Sequence, residues 1–220
     1  TVMGRRLIAD ASGVIYWPAE KLLIVSDLHL EKGSSRAHRG FLLPPYDTRE
    51  TLMRLAAVID RYQPDTVVSL GDSFHDAGGC ERLQDADLAI IEVMQEACEW
   101  IWVTGNHDPE ISARVGGTVT DDVVISGLTL RHEPRNARET HEIAGHLHPA
   151  AKLNAHGATL RRSCFISDGQ RLIMPAFGAY TGGLNVMDDA FQGLFADGFS
   201  VWMRGAEGLY PVPTRQLVGD

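Results

Sequence analysis

Short apolar runs recur along this chain, and five of them stop at a residue able to hold a cation. Lys21–Ser26 runs into Asp27-Leu28-His29, and Thr66–Leu70 into Gly71-Asp72. Trp100–Val103 leads to Gly105-Asn106-His107-Asp108, Leu128–Leu130 to Arg131-His132, and Glu142–Ala144 to Gly145-His146-Leu147-His148. Runs of this length, rich in Val, Ile, Leu and Trp and bounded by Gly, Asp or Asn, predict β-strands. Open α/β sheets take their ligands beyond the carboxyl ends of their strands, so these five ends can converge on one place.

The intervening segments have a different rhythm. Leu52, Leu55, Ala56 and Ile59 recur at helical spacing until Pro64, and Asp47-Thr48-Arg49-Glu50 before them has the form of a capping box. A second helix is expected over Leu83–Cys98, with Leu88, Ile91, Met94 and Cys98 on one side. Helices between the first three ligand-bearing strands give a βαβα order, hence a parallel sheet with right-handed crossovers. The amino end reads as a hairpin, Arg6–Ala9 and Val14–Trp17, while Glu31–Pro45 shows no clean period and reads as a long loop. After Asp108 the strands shorten, with hairpin signals at Ser126-Gly127 and Asp168-Gly169 and late strands at Gly198–Met203 and Leu209–Val212. The expected fold class is α/β: two stacked sheets with helices outside, the site at one edge, in a single domain over residues 1–220.

Composition narrows the setting. An apolar fraction of 44% and a charged fraction of 22% are ordinary for a globular protein, and no apolar stretch is long enough to span a bilayer. The first residues lack the apolar core of a secretory signal, so a cytoplasmic location and no membrane partner are expected. Cys80, Cys98 and Cys164 are odd in number and far apart, which argues against a disulfide framework or a thiolate zinc site and for plain burial. The net charge of −9 disfavours tight non-specific binding to duplex DNA, although arginines gather at Arg36 and Arg39, at Arg131, Arg135 and Arg138, and at Arg161 and Arg162.

The run ends carry the chemistry. Side chains two apart on a strand share a face, so Asp27 and His29 can grip one ion, and His146 and His148 have the same spacing. The Asp72 carboxylate can bridge two ions, Asn106 offers a neutral carbonyl oxygen, and His132 offers an imidazole nitrogen. These donors suit Mn²⁺, Fe²⁺ or Zn²⁺ better than ions that want thiolates. Two such ions ~3.5–4 Å apart can hold a bridging hydroxide and clamp both oxygens of an in-line displacement at phosphorus. Neither a Ser nor a Cys nucleophile is needed.

Taken as an ordered set, Asp27-Leu28-His29, Gly71-Asp72, Gly105-Asn106-His107-Asp108, His132 and Gly145-His146-Leu147-His148 resemble the calcineurin-like metallophosphoesterases. The resemblance implies an αββα sandwich of two mixed sheets flanked by helices. It also implies one ion on Asp27, His29, Asp72 and His148, and a second on Asp72, Asn106, His132 and His146, with manganese the first expectation. His107 matches the family's catalytic histidine, which contacts phosphate, and Asp108 is expected to orient its ring. Further stretches, among them Ser26–Gly33, Leu43–Thr48, Gly71–Asp76, His146–Pro149 and Pro175–Gly183, are similar to a bacterial subfamily of ligase-associated DNA damage response phosphoesterases. That similarity implies phosphodiester hydrolysis on DNA in repair, beside a DNA ligase, a helicase and an exonuclease. Arg36, His38 and Arg39 in the long loop could reach a substrate phosphate, and His75 and Asp76 could line the cleft. His141 and His156 show no partner pattern and read as surface residues. Two other functions stay open: hydrolysis of a small nucleotide or phosphomonoester, and a non-catalytic scaffold of the same fold.

Overall fold

The apolar runs become the centre of a six-stranded sheet in the computed structural model, which describes residues 1–41, 46–135, 141–155 and 157–220. Its strands lie in chain order: β1 (Ile8–Ala9), β2 (Ile15–Trp17), β3 (Leu22–Val25), β4 (Thr66–Leu70), β5 (Glu99–Val103) and β6 (Thr118–Thr120). The first three pair antiparallel and β3 to β6 pair parallel, so the sheet is mixed. β3 is buried along its whole length, as a central strand covered on both faces must be. Leu22 and Ile24 point to one side and Leu23 and Val25 to the other, following the two-residue period.

Leu23 and Val25 meet the helical layer. The helices are α1 (Lys32–His38), α2 (Asp47–Tyr62), α3 (Gly79–Arg82) and α4 (Asp85–Ala97). Leu52, Leu55 and Ile59 of α2 and Ile91 and Met94 of α4 pack with Val67, Trp100 and Trp102. Leu22 and Ile24 face the second sheet across a core that includes Leu70, Val103, Leu130, Ile143 and Phe165.

That second sheet has nine strands: β7 (Asp122–Ile125), β8 (Leu128–Arg131), β9 (Glu142–Ala144), β10 (Pro149–Ala155), β11 (Ala158–Ser167), β12 (Arg171–Ile173), β13 (Leu184–Asn185), β14 (Ser200–Arg204) and β15 (Leu209–Val212). β8, β9 and β12 run parallel, while β7, β11, β14 and β15 add antiparallel pairs. Its far face is covered by Val186, Phe191, Phe195 and Leu217, from loops and short 3-10 turns. The two stacked mixed sheets expected from the sequence are therefore present. No helix among the described residues is long and apolar enough to cross a membrane.

Three local expectations change. Glu31–Pro45 contains the helix α1, although Leu42–Pro45 lie outside the described residues, as do Arg138 and His156. Asp47 does not cap α2: its Oδ2 accepts from the Gly33 N–H at 3.0 Å, tying α2 to α1. The second helix begins at Asp85, after the separate turn α3.

One buried ion pair pins the second sheet. Arg171 and Glu142 face each other on β12 and β9 with Nε to Oε1 at 2.7 Å, and Arg171 also donates to the Leu194 and Arg135 carbonyls. Removing one partner strands a desolvated charge, so Arg171→Ala should cost about 3 kcal/mol, read as a lower urea midpoint. An unchanged midpoint would show that Arg131, 3.4 Å from Glu142, suffices as its counter-ion.

Candidate metal centre

The seven candidate ligands lie just past the strand ends, in loops rather than on the strands themselves. β3 ends at Val25 and β4 at Leu70, yet Asp27, His29 and Asp72 turn inward beyond them. The same-face placement of Asp27 and His29 therefore has a different cause from strand pleating. Asp27 (φ 54°) and His29 (φ 43°) are in the left-handed region, and Leu28 between them is buried in the core on the opposite side. His146 (φ 68°) and His148 (φ 44°) repeat the device around the buried Leu147, and Asp72 has φ 47°. Five of the ten described non-glycine residues with positive φ are thus candidate ligands. Such conformations cost of order 1–3 kcal/mol each and persist where the surroundings over-determine them, as at working sites.

Glycines bring the loops close. A Cβ on Gly145 would lie 1.8 Å from Ser26 Oγ and 2.5 Å from Asp27 Oδ2, and one on Gly105 would meet Asp72 Oδ1 at 2.3 Å. Gly145→Ala should therefore lower metal affinity at least ~10-fold while the sheets stay folded, measured by metal titration beside circular dichroism. The segment after β12 braces the same loop, because Phe177 N donates to Ser26 O at 2.9 Å and Gly178 N to Asp27 O at 3.1 Å.

Two adjoining groups contain the seven candidate ligands, and His29 also belongs to a third group with His75 and His107. In the first, His148 Nε2 lies 3.0 Å from Asp27 Oδ1 and 3.3 Å from His29 Nε2, and His29 Nε2 lies 3.8 Å from Asp72 Oδ2. In the second, His132 Nε2 lies 2.9 Å from Asn106 Oδ1, 3.2 Å from His146 Nδ1 and 3.3 Å from Asp72 Oδ1. Asp72 faces both groups, one oxygen toward each.

Hydrogen bonding decides which atoms these are. His132 Nδ1 lies 2.9 Å from the Leu70 carbonyl, which only accepts, so Nδ1 carries the proton and Nε2 a lone pair. That lone pair points at oxygen and nitrogen atoms with lone pairs of their own. Burial pushes His29 down to about 2, and it also lowers His146. Burial thus works against protons on His29 and His146, and a cation can share their lone pairs. Ligand atoms bonded to one ion at ~2.1 Å and ordinary angles sit ~3.0–3.4 Å apart, which is close to the spacing of both groups except for the longer 3.8 Å between His29 and Asp72. The residues fit divalent cations.

Charge reinforces the fit. Burial alone would raise Asp27, but the hydrogen bond and charge of His148, with help from His132 and Ser26, hold its carboxyl below the usual range. The same pairing raises His148 against the effect of its burial. Burial raises all three thiols, Cys164 to about 12, so they offer no thiolate.

The other predicted residues divide. His107 is at the mouth, two-fifths exposed, its Nδ1 2.7 Å from the His75 carbonyl and its Nε2 3.9 Å from Asp72 Oδ2. By the same logic Nδ1–H donates and Nε2 faces the centre. His75 stacks on His107 and puts Nδ1 3.4 Å from His29 Nδ1, and burial lowers it to about 4.

Asp108 corrects an expectation. It does not orient the His107 ring. Its Oδ1 accepts from the Asp72 and Gly105 amides and its Oδ2 from the Phe74 amide, so it binds together the backbones that carry Asp72 and Asn106. Burial raises it to about 6. Asp76 pairs with Arg82 at 2.7 Å instead of lining a cleft. Arg36 is exposed on α1 with its charge felt at His75, while Arg39 makes no side-chain hydrogen bond or ion pair with a described residue.

Lys32 was not singled out in the sequence. It is half-buried on α1, and its charge bears on His29, His75 and His148. The signal lay in a segment without helical period.

Comparison with known proteins adds the last observations. A sequence profile described as calcineurin-like phosphoesterase matches residues 20–167. A crystal structure of the nuclease MPE from Pseudomonas putida superposes with a TM-score of 0.75 at 27% identity, covering 96% of this chain and 97% of that one. The phosphoesterase YfcE from E. coli gives a TM-score of 0.39 at 14% identity, over 90% and 96% of the two chains. No curated protein matches the sequence.

Proposed function

The chain belongs to the calcineurin-like phosphoesterase family, whose members are hydrolases of phosphoester bonds, and from that premise we propose that it is a binuclear metal-dependent phosphodiesterase cutting DNA. The observation that carries the chemistry is the pair of lone-pair clusters meeting at Asp72. What supports a DNA substrate is the likeness over almost the whole chain to a protein described as a nuclease.

Asp27, His29, Asp72 and His148 would hold one cation, and Asp72, Asn106, His132 and His146 the other. The nitrogen and oxygen donors admit Mn²⁺, Fe²⁺ or Zn²⁺, and manganese is the working assignment. Ions held there supply Lewis acidity that makes water a nucleophile near neutral pH and draws charge from phosphoryl oxygens. His107 acts at the open face. With Nδ1–H committed to the His75 carbonyl, a proton on Nε2 can be given to the leaving oxygen or shared with a phosphoryl oxygen. Lys32 adds a fixed positive charge beside the three histidines, suited to orienting an anionic ester. Lys32→Met should raise KM for a phosphodiester ~10-fold with little change in bound metal. Unchanged steady-state kinetics would remove Lys32 from substrate binding.

The net charge of −9 favours a second reading, hydrolysis of a small nucleotide or phosphomonoester. Bis-p-nitrophenyl phosphate against p-nitrophenyl phosphate separates diesterase from monoesterase preference. Single-stranded, nicked and gapped DNA, each with added manganese and with chelator, tests the polymer. Metal-dependent cleavage of DNA supports the proposal, and turnover of only the small monoester overturns it. A place in DNA repair, and the ligase and helicase partners, rest on the subfamily resemblance alone.

A further inference from the structure

A cleft of about 510 Å³ opens beside His148, and its walls carry Arg54, Arg161, Arg162 and Arg204. Four cations gathered on one surface of a chain with net charge −9 call for an explanation. Arg54 comes from α2, Arg161 and Arg162 from β11, and Arg204 from β14. The cleft is also lined by the glycine-rich segment 175–183, whose backbone braces the first ligand loop. Gly178 is required there because a Cβ would meet the Leu28 carbonyl at 2.2 Å, which seats this segment directly against the first ligand loop.

The arginines are held in place and only partly compensated: Asp220 pairs with Arg161, and the charges of Glu50 and Asp10 bear on Arg54 and Arg204. Arg54 lies 4.6 Å over the Phe177 ring and donates to the Phe177 carbonyl at 2.8 Å. Arg204 donates to the Ala11 and Ser12 carbonyls and to Ser163 Oγ. Arg54, Arg162 and Arg204 form no ion pair with any described carboxylate, and only Arg161 has one, Asp220 at 3.3 Å. Burial, helped by the nearby Arg54, lowers Arg204 to about 10, which leaves it charged at neutral pH. Four like charges with so little carboxylate beside them still repel, and a phosphate relieves that repulsion through the guanidinium fork.

We propose that this cleft binds a non-scissile phosphate of a nucleic-acid strand whose scissile phosphodiester lies at the metal centre. The inference rests on the phosphodiesterase reading. One cation near the centre would serve a mononucleotide, whereas four spread from His148 over three elements suit a run of phosphates.

The test separates binding from cleavage. Fluorescein-labelled oligothymidylate is titrated with the full chain and with its Arg161→Ala/Arg162→Ala variant, metal chelated, at several salt concentrations. With manganese restored, hydrolysis of the same oligonucleotide and of bis-p-nitrophenyl phosphate is compared. Both side chains are exposed, so the fold should survive; Arg162→Gln alone provides a milder second variant. The expected result is a ~10-fold weaker oligonucleotide affinity and a salt slope reduced by about 1 to 1.4, as two lost phosphate contacts on a single strand predict. Oligonucleotide kcat/KM should fall by a similar factor, with the small diester changed less than ~2-fold. Unchanged affinity and salt slope would overturn the proposal, as would an equal loss on both substrates. Arginine-dependent binding without oligonucleotide cleavage would uphold the phosphate-binding cleft and overturn the nuclease reading alone.

Discussion

Asp72→Asn should abolish metal retention and hydrolysis together. The carboxylate presents one oxygen to each cluster, at 3.3 Å from His132 Nε2 and 3.8 Å from His29 Nε2, and it is buried. Asparagine keeps the shape and replaces an anionic oxygen with an amide that donates. Changes to groups that merely support a ligand already cost 10–100-fold in affinity or activity, so losing a shared ligand should exceed ~100-fold. Metal content of the purified variant and its turnover of bis-p-nitrophenyl phosphate measure the two effects. Asp72 Oδ1 also accepts from the His107 amide at 2.9 Å, so a thermal melt must accompany them. A folded variant that retains two equivalents of metal and full turnover would dissolve the shared centre.

His107→Ala should behave in the opposite way, with metal kept and turnover lost. Its side chain is two-fifths exposed and groups with His29 and His75, outside the seven side chains assigned to the two ions, so its removal should leave both ligand sets in place. Losing a positioned proton donor typically lowers kcat by ~10²–10³. The choice of ester reveals the role. If Nε2 protonates the leaving oxygen, p-nitrophenyl esters, which leave without help, should suffer much less than DNA. Equal losses on both would instead assign His107 to the phosphoryl oxygens, and no loss on either would remove it from the reaction.

The candidate ligands were legible because a metal site needs particular atoms, and Asp, Asn and His announce them in one-dimensional text. What their spacing could not reveal is how they reach one face: Asp27 and His29 do so through left-handed backbone beyond a strand, not through its pleat. The parallel strands were legible from unbroken apolar runs. Helix α1 was not, since Gly33, Ser34 and Ser35 are poor helix formers without an apolar stripe. It is held from outside, by Asp47 on the Gly33 amide, Thr48 on Glu31 and Arg82 on Ser34. With it went Lys32. Asp108 shows the same limit: its neighbours along the chain suggested a partner for the His107 ring, while two of its three partners, the amides at positions 72 and 74, are brought near only by folding. The arginine cleft draws on positions 54, 161, 162 and 204, which no local window joins.

The brace that Phe177 and Gly178 place under Ser26 and Asp27 bears on the order of events during synthesis. A growing chain has displayed every candidate ligand once His148 has emerged, yet the segment that locks the earliest of them is still to come. Contacts across some 150 residues are slow to form, so the Asp27 loop gains these backbone hydrogen bonds late. The loop that carries Asp27 and His29 would then reach its final shape only as the last third of the polypeptide docks.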